Sequence, residues 1–330
     1  MIGSISGQIK AKAARLDPSN YGRSDTSAVG RWFWEIDKVL LLLIATLIGI
    51  GLIAVAAASP AAGERYSGGS VQFSGLHYFY RQIVWIAVGV PVMIGISMMP
   101  RDRAKRLSLA GAAFFFVLLI FVPILGPEVN GATRWIDIGV GQLQPSEFLK
   151  PFFVIAMAWL LSLREQDKSL PVFWLSAGVT GAVAFLLMRQ PDFGSTIIFG
   201  CVWLAMLALA GVSMPVLLGL GVAGLVGVIL AYFFYDVATA RIDGFLFGEG
   251  DNFQVENAMR TLTAGGMFGM GPGAGTRKFG LPEPHTDYIF SVIGEEFGLI
   301  ACMATAVIYC AIVVRVLVKL LDEDEPFAVL

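Results

Sequence analysis

Val39-Leu-Leu-Leu-Leu-Ile-Ala-Thr-Leu-Ile-Gly-Ile-Gly-Leu-Ile-Ala-Val-Ala-Ala-Ala58 carries no charge over a run of about 20 residues. A helix rises about 1.5 Å per residue and a bilayer's hydrocarbon core is about 30 Å thick, so this run crosses a membrane. Seven further runs repeat it, near 82–99, 106–125, 145–163, 171–188, 193–212, 214–235 and 288–314. The composition agrees. Over 330 residues the chain is 56% hydrophobic and 15% charged, with a mean hydropathy of +0.74. The polar surface of a soluble protein cannot be built from that. The weak alternation of an outer-membrane barrel is absent. The expected fold is therefore an all-α polytopic membrane protein, a bundle of about eight transmembrane helices with a large extracytoplasmic loop before the last. No cleavable signal peptide precedes the first run, because the first 38 residues are polar and basic. Cys201, Cys302 and Cys310 sit in apolar runs without metal or redox spacing and read as small apolar fillers. Two histidines exclude a histidine-rich metal site.

Basic residues set the orientation. Lys10, Lys12, Arg15, Arg23, Arg31 and Lys38 precede the first span. Arg101, Arg103, Lys105 and Arg106 follow the second, Arg164 and Lys168 the fourth, Arg315 and Lys319 the last. Eight spans put all of them on one side, which the positive-inside rule makes cytoplasmic. The expected organisation is a cytoplasmic tail at 1–38, a membrane domain at 39–320 and a cytoplasmic end at 321–330. Segments 59–81, 126–144, 189–192 and 236–287 then face outward. The last is too long for a simple connection.

Polar motifs fall on that outer face. Asn130-Gly-Ala-Thr-Arg134-Trp135-Ile-Asp137 places a guanidinium fork, suited to phosphate oxygens, beside an indole. An interfacial Arg-Trp anchor explains it equally well. In Gln142-Leu-Gln-Pro-Ser-Glu147-Phe-Leu-Lys150, Pro145 and Ser146 open a helix, and Glu147 and Lys150 can pair at i, i+3. Asp192, in Arg189-Gln-Pro-Asp-Phe-Gly-Ser-Thr196, either caps the next span or serves a site. Gly265-Gly-Met-Phe-Gly-Met-Gly-Pro-Gly-Ala-Gly275 reads as a tight or flexible loop whose amides can face an anion. It is not a nucleotide P-loop, since no Gly-Lys-Ser/Thr follows. The densest cluster is Leu281-Pro-Glu283-Pro-His285-Thr-Asp287, followed by Glu295 and Glu296 inside the last span. Acids at a membrane are expensive unless paired or functional. Thr286 or Asp287 can cap the last span. Glu295 lies about 12 Å further along a helix than Asp287. That is too far for a catalytic pair, so Glu295 and Glu296 are expected to pair with Lys150 or with backbone groups.

These motifs, in this order and topology from about residue 35 to residue 320, resemble the SEDS family of bacterial peptidoglycan polymerases. The basic extension, the Gly-Pro-Gly-Ala-Gly-Thr wording and Gly-Glu-Glu-Phe-Gly298 resemble its division-type member first and its elongation-type member second. The family has ten spans, so the resemblance implies that the last two are absent from this chain.

The resemblance implies a peptidoglycan glycosyltransferase that polymerises lipid II, with Asp287 as catalytic carboxylate. Arg134, Trp135, Lys150, Asp192, His285 and Glu283 are implied to bind substrate, and Glu147, Glu295 and Glu296 to be structural. A divalent cation (Mg or Mn) is a candidate cofactor, with Asp287 and Asp192 as candidate ligands. Implied partners are lipid II, a class B penicillin-binding protein transpeptidase and other divisome membrane proteins, with no nucleic acid. The implied location is the bacterial cytoplasmic (inner) membrane, active face outward. A lipid II flippase is the alternative of another class. A transporter would place its functional charges near the bilayer midplane, whereas here they gather at one face.

Overall fold

The computed structural model describes residues 28–68, 72–128, 132–137, 139, 142–167, 169–246, 253–323 and 325–330. Lys10, Lys12, Arg15 and Arg23 of the basic tail, Asn130 and Gly131 of the Arg134 motif, and Lys168 lie outside the described residues. In chain order the elements are α1 (Ala28–Glu35), α2 (Lys38–Tyr66), α3 (His77–Ser97), α4 (Arg101–Leu125), β1 (Ile136–Asp137), β2 (Gln142–Leu143), α5 (Pro145–Gln166) and α6 (Val172–Arg189). Then come α7 (Phe193–Leu209), α8 (Met214–Phe234), α9 (Asp236–Leu246), α10 (Phe253–Ala264), a 3₁₀ turn (Arg277–Gly280), α11 (Ile289–Leu320) and α12 (Pro326–Val329).

Each of the eight apolar runs holds a helix. Seven helices among the described residues are long and apolar enough to cross a membrane, and α7 is a shorter apolar helix of 17 residues. The fold is that of an all-α polytopic membrane protein. The chain divides into two compact units. One comprises residues up to Met99 with Phe253–Val318, the other Pro100–Asn252 with Lys319–Leu330.

In the first unit, Asp37 caps α2 by accepting from the Val39 and Leu40 amides at 2.9 and 3.1 Å. Arg315 donates to the other carboxylate oxygen of Asp37 at 2.9 Å. The helix extends past the expected first span, since α2 runs on from Ala58 through Ser59 and Pro60 to Tyr66. Loss of hydropathy ends an apolar run but not a helix. This extra stretch is held by burial of Ser59, Ala61 and Ala62, while Ala57 and Ala58 pack against Leu281 and Val292. Within the expected tail, Ala28–Glu35 form the helix α1.

The expected last span, 288–314, falls on α11, which is interrupted within it. Gly298 has φ 81° and ψ 179°, which breaks α11. Only glycine adopts that backbone readily. A break strands amides and carbonyls, which must find partners at membrane depth. The glycine-rich loop supplies them. Leu299 N–H donates to Gly266 O at 2.9 Å and Ile300 N–H to Met267 O at 3.3 Å. In return Met270 and Gly271 N–H donate to the carbonyls of Glu295 and Glu296 at 2.9 and 3.0 Å.

In the second unit, Leu119, Leu149, Phe153, Met157, Leu187 and Phe199 form the core between α4, α5, α6 and α7. The two short strands pair antiparallel, Ile136 with Leu143 and Asp137 with Gln142. This hairpin leads directly into Pro145 at the first turn of α5.

Candidate active site

The acidic cluster belongs to the first unit. Leu281 and Pro284 are buried and anchor the approach to α11. Glu283 accepts from the Tyr66 hydroxyl and, at 3.1 Å, from the Thr286 hydroxyl. Tyr66 also donates to Pro282 O at 3.2 Å. The His285 ring lies 4.1 Å from that of Tyr78 and 6.3 Å from that of Tyr66. Its Nδ1 is buried and finds no hydrogen-bond partner among the described residues, Glu283 Oε2 being 3.9 Å away. Burial lowers the imidazole pKa, Glu283 opposes this, Arg81 adds to it, and Asp287 opposes it weakly. His285 is thus neutral near pH 7.

Asp287 lies in the turn before α11. It is exposed, and no hydrogen bond or ion pair holds it among the described residues. Neither it nor Thr286 caps α11. The turn closes through its backbone instead, with Thr286 and Tyr288 N–H donating to Glu283 O at 3.3 and 3.1 Å. The Thr286 hydroxyl donates instead to Glu283.

Glu295 and Glu296 are fully buried. Lys150 or backbone groups were the expected partners; backbone amides meet both glutamates, and the cation at Glu296 is Lys278 rather than Lys150. Lys278 Nζ lies 2.5 Å from Glu296 Oε1 and 2.8 Å from Ala57 O. Gly273 N–H and, at 3.3 Å, Gly275 N–H also donate to Glu296. Arg277 and Lys278 N–H donate to Glu295 at 2.7 and 3.0 Å. Two adjacent helical residues point about 100° apart, so one cation cannot serve both and the loop amides serve the rest. The glycine-rich segment is therefore an anion nest for the chain's own glutamates. A Cβ at Gly275 would lie 2.6 Å from Glu295 Cδ, so the loop must be bare there.

Arg134, Trp135, Lys150, Asp192 and Glu147 lie in the second unit. Arg134 donates through Nε to Gln190 O at 3.2 Å and through Nη2 to Pro191 O. That tight turn has an unusual φ of 27° at Pro191. Its other anchor is buried Gln190, donating to Leu119 O at 2.8 Å. Asp192 is buried and caps α7, accepting from Ser195 N–H at 3.2 Å. Two donor bonds leave three N–H groups of the Arg134 fork without a partner among the described residues. Lys150 Nζ is 2.7 Å from Glu147 Oε1, the i, i+3 pair. Trp135 is half-buried beside β1.

No group of three or more His, Cys, Asp or Glu placed to share a metal ion occurs among the described residues. Within the first unit, the other acids of residues 281–298 are engaged by tyrosine, threonine, lysine and amides.

Tyr66, Tyr78, Lys278 and Gly298 were not singled out from the sequence. Tyr66 fell in a segment read as a loop. Lys278 carried one usable signal, as one of the two basic residues nearest the buried glutamates on the N-terminal side.

A multi-pass helical membrane protein with an exposed acid on a braced turn defines the class. The family of cell cycle proteins shared by FtsW, RodA and SpoVE matches residues 38–330, and the chain belongs to it. A Caulobacter vibrioides protein named "Probable peptidoglycan glycosyltransferase FtsW" is 34% identical over 314 residues, covering 93% of this chain and 78% of that protein. A relative of the same name from Alkalilimnicola ehrlichii is 32% identical, covering 92% and 78%. The Thermus thermophilus rod shape determining protein RodA superposes with a TM-score of 0.59 at 22% identity, covering 89% of this chain and 79% of that one. A chain from a peptidoglycan synthase complex that coordinates polymerization and crosslinking superposes with a TM-score of 0.69 at 22% identity, covering 89% and 81%.

Proposed function

We propose that this chain is a peptidoglycan glycosyltransferase of the division type, polymerising lipid II on the outer face of the bacterial cytoplasmic membrane. The relatives named FtsW favour this over the elongation-type reading. The observation that carries the chemistry is Asp287. Among the acids of residues 281–298 it alone is exposed and uncommitted. A free carboxylate on a rigid turn suits a general base.

In the reaction, O4 of the acceptor GlcNAc attacks C1 of the donor sugar. The O4–C1 bond forms as the bond from C1 to the diphosphate breaks, and undecaprenyl diphosphate leaves with the electron pair. Asp287 takes the O4 proton. Displacement at an α-linked donor gives a β-linked product, so a single inverting step suffices and no enzyme nucleophile is needed. Charge develops on the leaving diphosphate, where cations stabilise it. The remaining donors of Arg134 and the Lys150 ammonium have that chemistry. The alternation of spans read from the sequence sends segments 126–144, 189–192 and 236–287 to one membrane surface, the outer one by the positive-inside rule. A class B penicillin-binding protein and other divisome membrane proteins are the partners of this reading. A structural neighbour drawn from a complex of polymerization and crosslinking supports the first.

The test is glycan-chain synthesis by purified protein from lipid II alone. Asp287→Asn is expected to abolish chain formation with the fold intact. Retained polymerisation by the folded variant sinks the assignment, and lipid II translocation without polymerisation points to the flippase.

A further inference from the structure

We propose that Lys278 is a positioning residue that fixes Asp287 through the first turns of α11. This rests on the reading of Asp287 as the base. Lys278 is 1% exposed and its ammonium bridges two elements, Ala57 O on α2 and Glu296 on α11. Its partner Glu296 is buried in the short segment that precedes Gly298.

The break at Gly298 interrupts the helical ladder between residues 289–297 and the long remainder of α11. Three things hold the shorter segment. The loop stitches its C-terminal end through the Glu295 and Glu296 carbonyls. The nest of amides holds the two carboxylates. Lys278 ties Glu296 to α2, the helix whose last residue, Tyr66, holds Glu283, four residues before Asp287 in the chain. Along the chain Asp287 thus falls between two braces that both end on α2.

Stability alone does not require a lysine here. A buried ion pair replaced whole by apolar or neutral groups of similar volume is often neutral or stabilising, whereas removal of one partner is costly. A retained pair is therefore better explained by what its direction fixes. Small misplacements of a reacting group cost rate steeply, about 10²-fold for 1 Å.

The experiment uses full-length protein and purified lipid II, with three measurements: thermal unfolding, steady-state kinetics and hydrogen exchange of residues 283–292. The variant is the neutral double substitution Lys278→Met with Glu296→Gln, compared with Asp287→Asn. The expected result is an unfolding midpoint near that of the unmodified protein, kcat lowered at least tenfold, KM within twofold, and faster exchange around Asp287. Two results overturn the proposal: a folded double variant whose kcat stays within twofold, or a double variant that does not fold, which assigns the pair to folding instead. If Asp287→Asn retains polymerisation, the base assignment itself fails, and that outcome is read separately from the double variant.

Discussion

Gly298→Ala tests how the candidate base is supported. At φ 81° and ψ 179° an alanine is strained, by about 1–3 kcal/mol. The new Cβ would lie 2.4 Å from Gly269 N and 2.5 Å from Met267 O. Those atoms are backbone, so the loop must withdraw rather than a side chain rotate. Withdrawal loosens the bonds from Leu299 and Ile300 to Gly266 and Met267, and the two returned to Glu295 and Glu296. Each is worth roughly 0.5–1.5 kcal/mol net, so losing half of them adds about 1–3 kcal/mol. The sum, about 2–6 kcal/mol, is a large share of a typical native stability of about 5–15 kcal/mol. At about 2 °C per kcal/mol for a chain of this size, the unfolding midpoint falls by roughly 4–12 °C. The assay is thermal unfolding in detergent, with hydrogen exchange at Met270, Gly271, Leu299 and Ile300. Gly89→Ala on α3 is the control, because a Cβ there meets nothing within 4 Å. In an open helical position the substitution stabilises by up to about 1 kcal/mol. A Gly298→Ala midpoint within about 2 °C of the unmodified protein, with unchanged exchange at the four amides, refutes the reasoning.

Three further outcomes follow from the geometry. Glu147→Gln removes a partly exposed i, i+3 pair and is expected to cost under about 1 kcal/mol in thermal unfolding; a larger loss would give the pair a structural weight that its exposure does not support. Asp192→Asn keeps an acceptor for the Ser195 amide while Asp192→Ala removes it, so Ala is expected to cost about 1 kcal/mol more than Asn. Polymerisation lost in folded Asp192→Asn would show that the charge acts beyond capping. His285 has its imidazole pKa lowered in the fold by burial, whereas the unfolded chain takes up its proton near pH 6.5. Between the lower folded value and about 6.5 the unfolded state binds more protons, so stability falls as the pH drops through that window. His285→Gln should flatten this part of the slope of unfolding midpoint against pH, measured between about pH 7.5 and about pH 5; an unchanged slope removes His285 as its source.

The spans were legible because hydropathy acts residue by residue and needs no knowledge of neighbours. Glu147 with Lys150, and Asp192 with Ser195, were legible for a related reason, since both contacts close within one helical turn. What escaped the sequence depends on long-range closure. Lys278 meets Ala57 across 221 positions and Tyr66 meets Glu283 across 217, and no local period encodes either contact. Glu295 and Glu296 nonetheless stated the problem in the sequence. Two adjacent acids in an apolar run demand two separate sets of donors, and lipid provides none. A loop able to present many amides was needed nearby, and Gly265–Gly275 is the chain's glycine-dense segment. Its bareness, read alone, suggested a pliable connection. Read against the two glutamates and the broken helix, the same bareness is what lets backbone approach backbone at Gly265, Gly269 and Gly298, where any Cβ would collide. The glycines thus make a close-packed seat for the segment that carries Glu295 and Glu296.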